Sequence, residues 1–226
     1  MERHFHEELK RLKGKLLQMG VLVEEAIEKA VRALLERNGS LAEEVFQDET
    51  AINQFEIAID GEGHGLLALG QPMAVDLRLI TMMLKINTDL ERMGDHAVNI
   101  AERTQMLIEE PPLQMNIHLA DMAKAAQSMV HDALDSFVNA DVDTARNVLK
   151  RDDEVDAYND GLYSQLTTIM EKDPSLTKTG LNLVMVGHNL ERIADLANNI
   201  AEDVIYLKQG KEVRHRSEES ELESNL

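Results

Sequence analysis

The same acidic helical phrase occurs twice in the chain, one hundred residues apart. "DLERMGDHAVNIAE" spans residues 89–102 and "NLERIADLANNIAE" spans residues 189–202. Nine of the thirteen positions from Leu90 to Glu102 are identical to those from Leu190 to Glu202. Chance does not produce such agreement, so we interpret the chain as an internal duplication whose copies keep the same structural element.

The first half of the chain predicts three helices. Apolar residues recur at spacings of three and four from about residue 5 to residue 37, which is one stripe on a helix. Ser40 and Glu43 predict a capping box for helix two, and Pro72 suits the first turn of helix three. The glycines of "DGEGHG" weaken helix two by about 1 kcal/mol each relative to alanine. We therefore expect a kink or fraying there.

The second half repeats this plan. Helix four is predicted from about residue 117 to residue 138, and Asp141 is the expected cap of helix five, which continues to "EKDPS". Helix six is expected from about residue 176 to residue 208, with Gly210 ending it. The helices that precede the repeated phrases are also similar in sequence. "VFQDETAIN" aligns with "VLKRDDEVD", and Glu49 aligns with Asp152.

These patterns predict an all-α fold of two tandem three-helix bundles related by pseudo-twofold symmetry. Residues 1–110 are the predicted first bundle and residues 114–209 the second. Residues 210–226 are charged and have no apolar period, so we expect a disordered tail that is dispensable for folding. Methionine-rich faces favour core over interface, although a homodimer remains possible; these residues are Met82, Met83, Met93, Met122 and Met129.

Charge and composition exclude several classes of function. The chain has 42 acidic and 23 basic residues, a net charge of −19, so it repels nucleic acid and anionic lipid and attracts cations and basic partners. There is no cysteine, which excludes disulfides and thiolate metal sites. No apolar run approaches the ~20 residues of a membrane span, and charges are scattered through the first residues. We expect a soluble, cytoplasmic protein without a transmembrane segment.

The repeated phrase places four oxygen-bearing side chains within an arc of about 80° on each helix. On helix three they are Glu91, Asp95, Asn99 and Glu102, and on helix six they are Glu191, Asp195, Asn199 and Glu202. On helix three this arc continues an apolar line, so we expect neighbouring helices to cover it partly. The basic stripe of the same helix is expected to face solvent; it consists of Arg78, Lys85, Arg92, His96 and Arg103.

Two interpretations of the acidic arc stay open. Carboxylates four residues apart lie about 5–6 Å from each other and can share a cation, and oxygen ligands favour Mg²⁺, Mn²⁺, Ca²⁺ or iron. Alternatively, Arg92 and Arg192 form an internal salt-bridge ladder with the acids. His96 and His188 are not shared between the copies, so we expect surface residues there rather than ligands.

The sequence lacks the usual catalytic motifs. It has no phosphate-binding glycine loop after a strand, no nucleophile elbow, no HExxH and no paired Glu-x-x-His. We therefore predict a non-enzymatic protein. A metal-dependent hydrolase or phosphatase that activates water on helix-borne carboxylates is the alternative. A purely structural bundle would leave the identity of the two phrases unexplained.

Three stretches together resemble the PhoU family of phosphate-transport regulatory proteins: "QPMAVDLRLI", "KINTDLERMGDHAVNIAER" and "HNLERIADLANNIAEDVIYLKQG". The resemblance implies two tandem three-helix bundles with multivalent metal ions at E/D-x-x-x-D motifs. By position these motifs are Glu91 with Asp95 and Glu191 with Asp195, and Glu49 and Asp152 match a second acidic family position.

The resemblance also implies a role for the protein. It is that of a cytoplasmic negative regulator linking a phosphate ABC transporter ATPase to a sensor histidine kinase. The metal is left open among Mg, Mn, Fe, Zn and Ca.

Overall fold

A computed structural model describes residues 2–70, 72–112 and 118–210, and these residues contain helices and no strand. The predicted disordered tail lies outside them from residue 211 onward. Seven α-helices follow one another with a single 3₁₀ turn, Pro174–Leu176, before the last. They are α1 Glu2–Glu36, α2 Gly39–Gly70, α3 Ala74–Ile108, α4 Leu119–Asn139, α5 Val142–Leu149, α6 Asp152–Lys172 and α7 Thr177–Gln209.

The helices form two tandem three-helix bundles, as the sequence predicts. Helices α1, α2 and α3 pack together, and α4 and α7 pack with α5 and α6. The bundles join where α3 lies against α7 and α1 lies against α4. All five methionines that the sequence assigned to the core are buried. None of the described helices has a stretch long and apolar enough to span a bilayer.

The predicted fifth helix is two helices, because the chain breaks at Lys150 and Arg151. Arg151 turns toward α4, where its Nη1 donates to Asp132 Oδ2 at 2.8 Å and to Ser128 Oγ at 3.2 Å. These bonds stabilise a turn that periodicity alone does not reveal. The predicted cap is confirmed, since the Asp141 carboxylate accepts from the backbone N–H groups of Asp143 and Thr144.

Three local predictions in the first bundle are wrong. Asn38 rather than Ser40 caps α2, because its Oδ1 accepts from the Ser40 and Leu41 N–H groups at 3.0 and 3.3 Å. Helix α3 begins at Ala74, after Pro72 and the N-cap Met73. The glycine-rich stretch stays helical to Gly70. There Gly63 lets α3 approach closely, since a Cβ at this position would lie 2.5 Å from Leu84 Cδ2.

Arg37 connects the α1–α2 turn to the end of α3. Its backbone is left-handed, with φ of 53°. Its Nη2 donates to the carbonyl oxygens of Leu107, Ile108 and Glu110 at 2.6, 3.0 and 2.6 Å. A guanidinium at a helix C-terminus satisfies carbonyl groups that have no partner within the helix and offsets the negative end of the dipole.

Replacing Arg37 with alanine is expected to lower the free energy of unfolding by about 1–3 kcal/mol, because charge-assisted hydrogen bonds to partly buried carbonyls are lost. Urea denaturation of the variant measures this change. Arg32→Ala is the matched control, since the ion pairs of Arg32 with described residues, to Glu28 and Glu36, lie on the surface of α1. The control should change stability by less than about 0.5 kcal/mol. Equal effects of the two substitutions would contradict the capping role.

Candidate functional site

The two copies of the repeated phrase lie side by side in antiparallel orientation, on α3 and α7. Lys85 Nζ lies 3.2 Å from Asp203 Oδ1, and His96 Nδ1 lies 2.9 Å from Asn189 Oδ1. The prediction that the basic stripe of α3 faces solvent is therefore wrong for His96, which is half-buried, whereas Lys85 stays exposed although it pairs with Asp203. The buried members of these two pairs are Asp203 and Asn189 of α7, which the side chains of α3 cover.

His96 is consequently an interface residue rather than a surface residue. Burial lowers the pKa of its imidazole, and the nearby Arg192 and Arg92 charges lower it further, although the hydrogen bond with Asn189 opposes them. The ring is thus held neutral between the two bundles. His188 fits its surface prediction better, since its side chain is 55% exposed.

The first acidic cluster consists of Glu49 and Glu56 on α2 with Glu91 and Asp95 on α3. Glu49, Glu56 and Glu91 are half-buried and Asp95 is exposed. Burial raises the pKa of the Glu91 carboxyl, and the negative charges of Asp95, Glu56 and Glu49 raise it further while Arg92 lowers it. The cluster therefore collects like charges that a cation would neutralise.

The second acidic cluster consists of Asp152 and Asp156 on α6 with Glu191 and Asp195 on α7. Burial is the main cause that raises the pKa values of Asp152, Asp156 and Asp195. The charge of Asp195 adds to the shift at both Asp152 and Asp156. The duplicated sequence thus places a similar group of carboxylates at the corresponding position of each bundle.

Sequence reasoning missed three residues of these clusters. Glu56 and Asp156 lie seven and four residues after the predicted Glu49 and Asp152, so helical spacing puts them on the same face. Asn198 hydrogen-bonds the Asp152 carboxylate, and its neighbour Asn199 was predicted instead. An i+4 and i+7 search from the two predicted acids would have found Glu56 and Asp156, whereas Asn198 has no counterpart in the first copy.

Of the four outer residues of the predicted arcs, the glutamates differ in exposure between the copies and the asparagines do not. Glu102 is exposed and Glu202 is half-buried, and both Asn99 and Asn199 are half-buried. Asp95 is likewise exposed where Asp195 is half-buried. The second bundle covers its acidic arc more fully than the first, and participation of these asparagines and outer glutamates in a cation shell stays a prediction.

The salt-bridge ladder is present in part of the second cluster. Arg192 Nη1 donates to Asp195 Oδ2 at 2.7 Å. Asn159 Nδ2 donates to Glu191 Oε2 at 3.0 Å, and His188 Nδ1 lies 3.1 Å from the same oxygen. These contacts offset some of the repulsion between the carboxylates of Glu191 and Asp195. None of the three involves Asp152 or Asp156 of α6.

The oxygen atoms of the two clusters are of the type that a hard cation prefers, but they do not lie close enough together to coordinate one ion in this arrangement. Within the described ranges, no three histidine, aspartate or glutamate side chains are close enough to form a ready coordination shell. Two buried oxygens in the second cluster, Asp152 Oδ1 and Asn198 Oδ1, accept no hydrogen bond from the described residues. Such buried acceptors favour a cation or another donor. Binding would require rotation of the carboxylates about their side-chain bonds.

The raised pKa values predict an unusual response to acid. Between its unfolded and folded pKa values, each of these carboxyls binds more protons in the folded chain, so stability falls as pH rises. The unfolded values are 4.5 for Glu91 and 3.8 for the aspartates. In chelator, the destabilisation caused by these carboxylates should therefore diminish as the pH decreases through the folded pKa values toward the unfolded ones.

Melting temperatures of the wild type and of Glu91→Gln/Asp152→Asn, measured at about pH 7.5 and about pH 4.5, isolate this contribution. The melting temperature of the variant relative to that of the wild type should be higher at the higher pH, because the variant lacks two carboxylates that are charged there. A difference that does not change with pH would contradict the predicted coupling.

Comparison with known proteins places these features in context. The family model described as "PhoU domain" matches residues 16–104 and 119–204. The chain is 42% identical over 209 residues to a "Phosphate-specific transport system accessory protein PhoU homolog" from Aquifex aeolicus, covering 92% of this chain and 95% of the relative. It is 40% identical over 216 residues to the Pseudomonas aeruginosa protein of the same name, covering 95% and 89%.

Two crystal structures share the architecture. PhoU from Pseudomonas aeruginosa aligns with a TM-score of 0.90 at 40% identity, over 92% of this chain and 100% of that chain. The phosphate transport system regulatory protein PhoU from Streptococcus pneumoniae aligns with a TM-score of 0.86 at 33% identity, over 92% and 99%.

Proposed function

The chain belongs to the PhoU family, and from that premise we propose that it is a cytoplasmic, metal-binding accessory protein that regulates phosphate uptake. In this role it holds the phosphate-starvation response off when phosphate is plentiful. Its partners are the ATPase of a phosphate ABC transporter and a sensor histidine kinase. The relatives named as accessory and regulatory proteins of phosphate transport support this role.

The observation that carries the metal-binding part is the duplicated carboxylate cluster. Each cluster joins two neighbouring helices of one bundle, α2 with α3 and α6 with α7, and each contains acids whose pKa values burial raises. A cation shared by two helices would neutralise the repulsion and tie the helices together. Regulation rather than chemistry is the proposed use, because the same groups occur twice without a separate acid or base.

The hydrolase alternative is less well supported. Water activation on a metal needs a site that encloses the substrate and a group that handles the proton. Asp95 of the first cluster is exposed, and the histidine nearest the second cluster lies on the surface. A phosphatase screen of the Mn²⁺-loaded protein tests the alternative; turnover abolished by Asp95→Asn/Asp195→Asn would overturn the non-enzymatic proposal.

Deleting the gene in its host tests the regulatory proposal. We expect phosphate-starvation genes to become active in phosphate-rich medium, and wild-type protein supplied in trans to repress them again. Reporter expression in the two media measures the effect. Unchanged repression in the deletion strain would contradict the proposed function, whatever the metal content of the protein.

A further inference from the structure

Exposed apolar side chains concentrate at the junction of α2 and α3. Leu69 is 87% exposed, Met73 78%, Val75 63% and Leu77 44%. These four belong to thirteen exposed large hydrophobic residues in the described chain, yet they lie within nine positions. Single exposed hydrophobic residues need no explanation, whereas a concentrated group indicates an interaction surface.

A cavity of about 680 Å³ lies at the same end of the first bundle, and two of these residues, Leu69 and Met73, line it. Its size falls within the range of binding pockets, roughly 300–1,000 Å³. The Phe5 ring packs on Gly70, where a Cβ would lie 2.6 Å from the ring edge. The remaining apolar lining comes from Leu66, Leu69, Pro72 and Met73. We call the cavity and the four exposed side chains the open end of the first bundle.

The second copy shows that the fold itself does not require apolar residues there. At the hundred-residue offset that aligns the repeated phrase, Asp173, Ser175 and Thr177 occupy the positions of Met73, Val75 and Leu77. The Asp173 carboxylate caps the 3₁₀ turn by accepting from Ser175 N–H at 3.0 Å. Polar residues thus perform the structural task at this end of the second bundle, and the apolar residues of the first copy serve another purpose.

Charge around the cavity indicates the chemistry of the occupant. Three acidic residues, Glu8, Glu62 and Asp76, are among the described residues that line it, together with Arg11, His4 and His6. Glu62 is engaged by Lys15 Nζ at 2.6 Å, and Glu8 Oε1 lies 3.5 Å from His4 Nε2. Asp76, and Glu8 in competition with His4, are therefore the acids of the described lining that can meet a ligand. A chain with a net charge of −19 also repels anionic lipid and attracts basic protein surfaces.

We propose that the open end of the first bundle docks a basic amphipathic helix of another protein. Apolar side chains of that helix, spaced three and four residues apart, enter the cavity between α1, α2 and the start of α3. Its lysine or arginine side chains meet Glu8 and Asp76. No described lining residue belongs to either acidic cluster. The docking proposal therefore does not depend on cation binding, and an experiment can refute either proposal without the other.

A fluorescein-labelled eighteen-residue helix of leucine and lysine, with leucines on one face, is the probe. Fluorescence anisotropy should show saturable binding to the full-length protein, and a leucine–glutamate helix of the same pattern should not bind. Leu69→Gln/Met73→Gln removes two exposed anchors without altering charge, and we expect it to weaken binding at least tenfold. Val21→Gln/Ile57→Gln, at two exposed apolar positions outside the cavity, should change affinity less than twofold.

Equal affinity of the two double variants would overturn the proposal, because binding would then be general attraction to an acidic surface. Sedimentation equilibrium and vesicle flotation test two other occupants of the open end, a second copy of the chain and a membrane. A wild-type dimer that Leu69→Gln/Met73→Gln converts to monomer would assign the open end to a second copy of the chain. Flotation with vesicles containing anionic lipid, lost in the same variant, would assign it to a membrane. Either result would refute the partner helix.

Discussion

Exchanging Asp95 and Asp195 together for asparagine is expected to abolish stabilisation of the protein by added Mg²⁺ or Mn²⁺. Both residues lie one turn after a glutamate of the repeated phrase, and each belongs to one acidic cluster. Asparagine keeps the shape and removes one charge from each cluster. A cation at one hundred times its dissociation constant stabilises the folded state by about 2.7 kcal/mol per site, so the loss should be readily measured by thermal denaturation.

Elemental analysis after gentle, tag-free purification measures the stoichiometry directly. The double variant should retain less metal than the wild type. Asp60→Asn/Asp121→Asn is the matched control, since it makes the same chemical change at two surface aspartates of α2 and α4. The control should behave as the wild type. A wild type with no bound metal and no thermal shift would instead support the salt-bridge ladder, of which Arg192 and Asp195 already form one step.

Replacing Gly14, Gly61 and Gly161 together with alanine is expected to raise stability by about 2–3 kcal/mol. All three lie inside helices, and a Cβ built on each would have no neighbour within 4 Å. Alanine then brings its helix propensity, about 1 kcal/mol per position, without a clash. For a chain of this length, the melting temperature should rise by roughly 5–10 °C.

Gly63→Ala is the informative comparison on the same helix. There the new Cβ would lie 2.5 Å from Leu84 Cδ2 and 3.1 Å from Leu84 Cγ, so α3 or the leucine must shift. The gain in propensity should be cancelled or reversed. Equal stabilisation at Gly61 and Gly63 would show that α2 and α3 do not pack as closely as the structure indicates.

The sequence by itself determined the all-α class, the duplication, the two bundles and the carboxylates of the repeated phrase. These follow from local rules, because a helix fixes which residues share a face and because a repeated pattern must fold in the same way twice. The cap at Asp141 and the end of the last helix at Gly210 were equally local, since the side chain or the left-handed backbone involved acts within a few residues.

Only the tertiary structure decided how the two copies meet. The basic stripe of α3 follows solvent-like periodicity, yet Lys85 and His96 face Asp203 and Asn189 of α7. The break before α6 coincides with Arg151 reaching α4, and the absence of a side chain at Gly63 allows α2 and α3 to approach closely. Each of these contacts joins residues at least nineteen positions apart along the chain. Periodicity along one helix carries no information about such partners, because burial of a polar group is decided by whether a distant chain segment supplies its hydrogen bond.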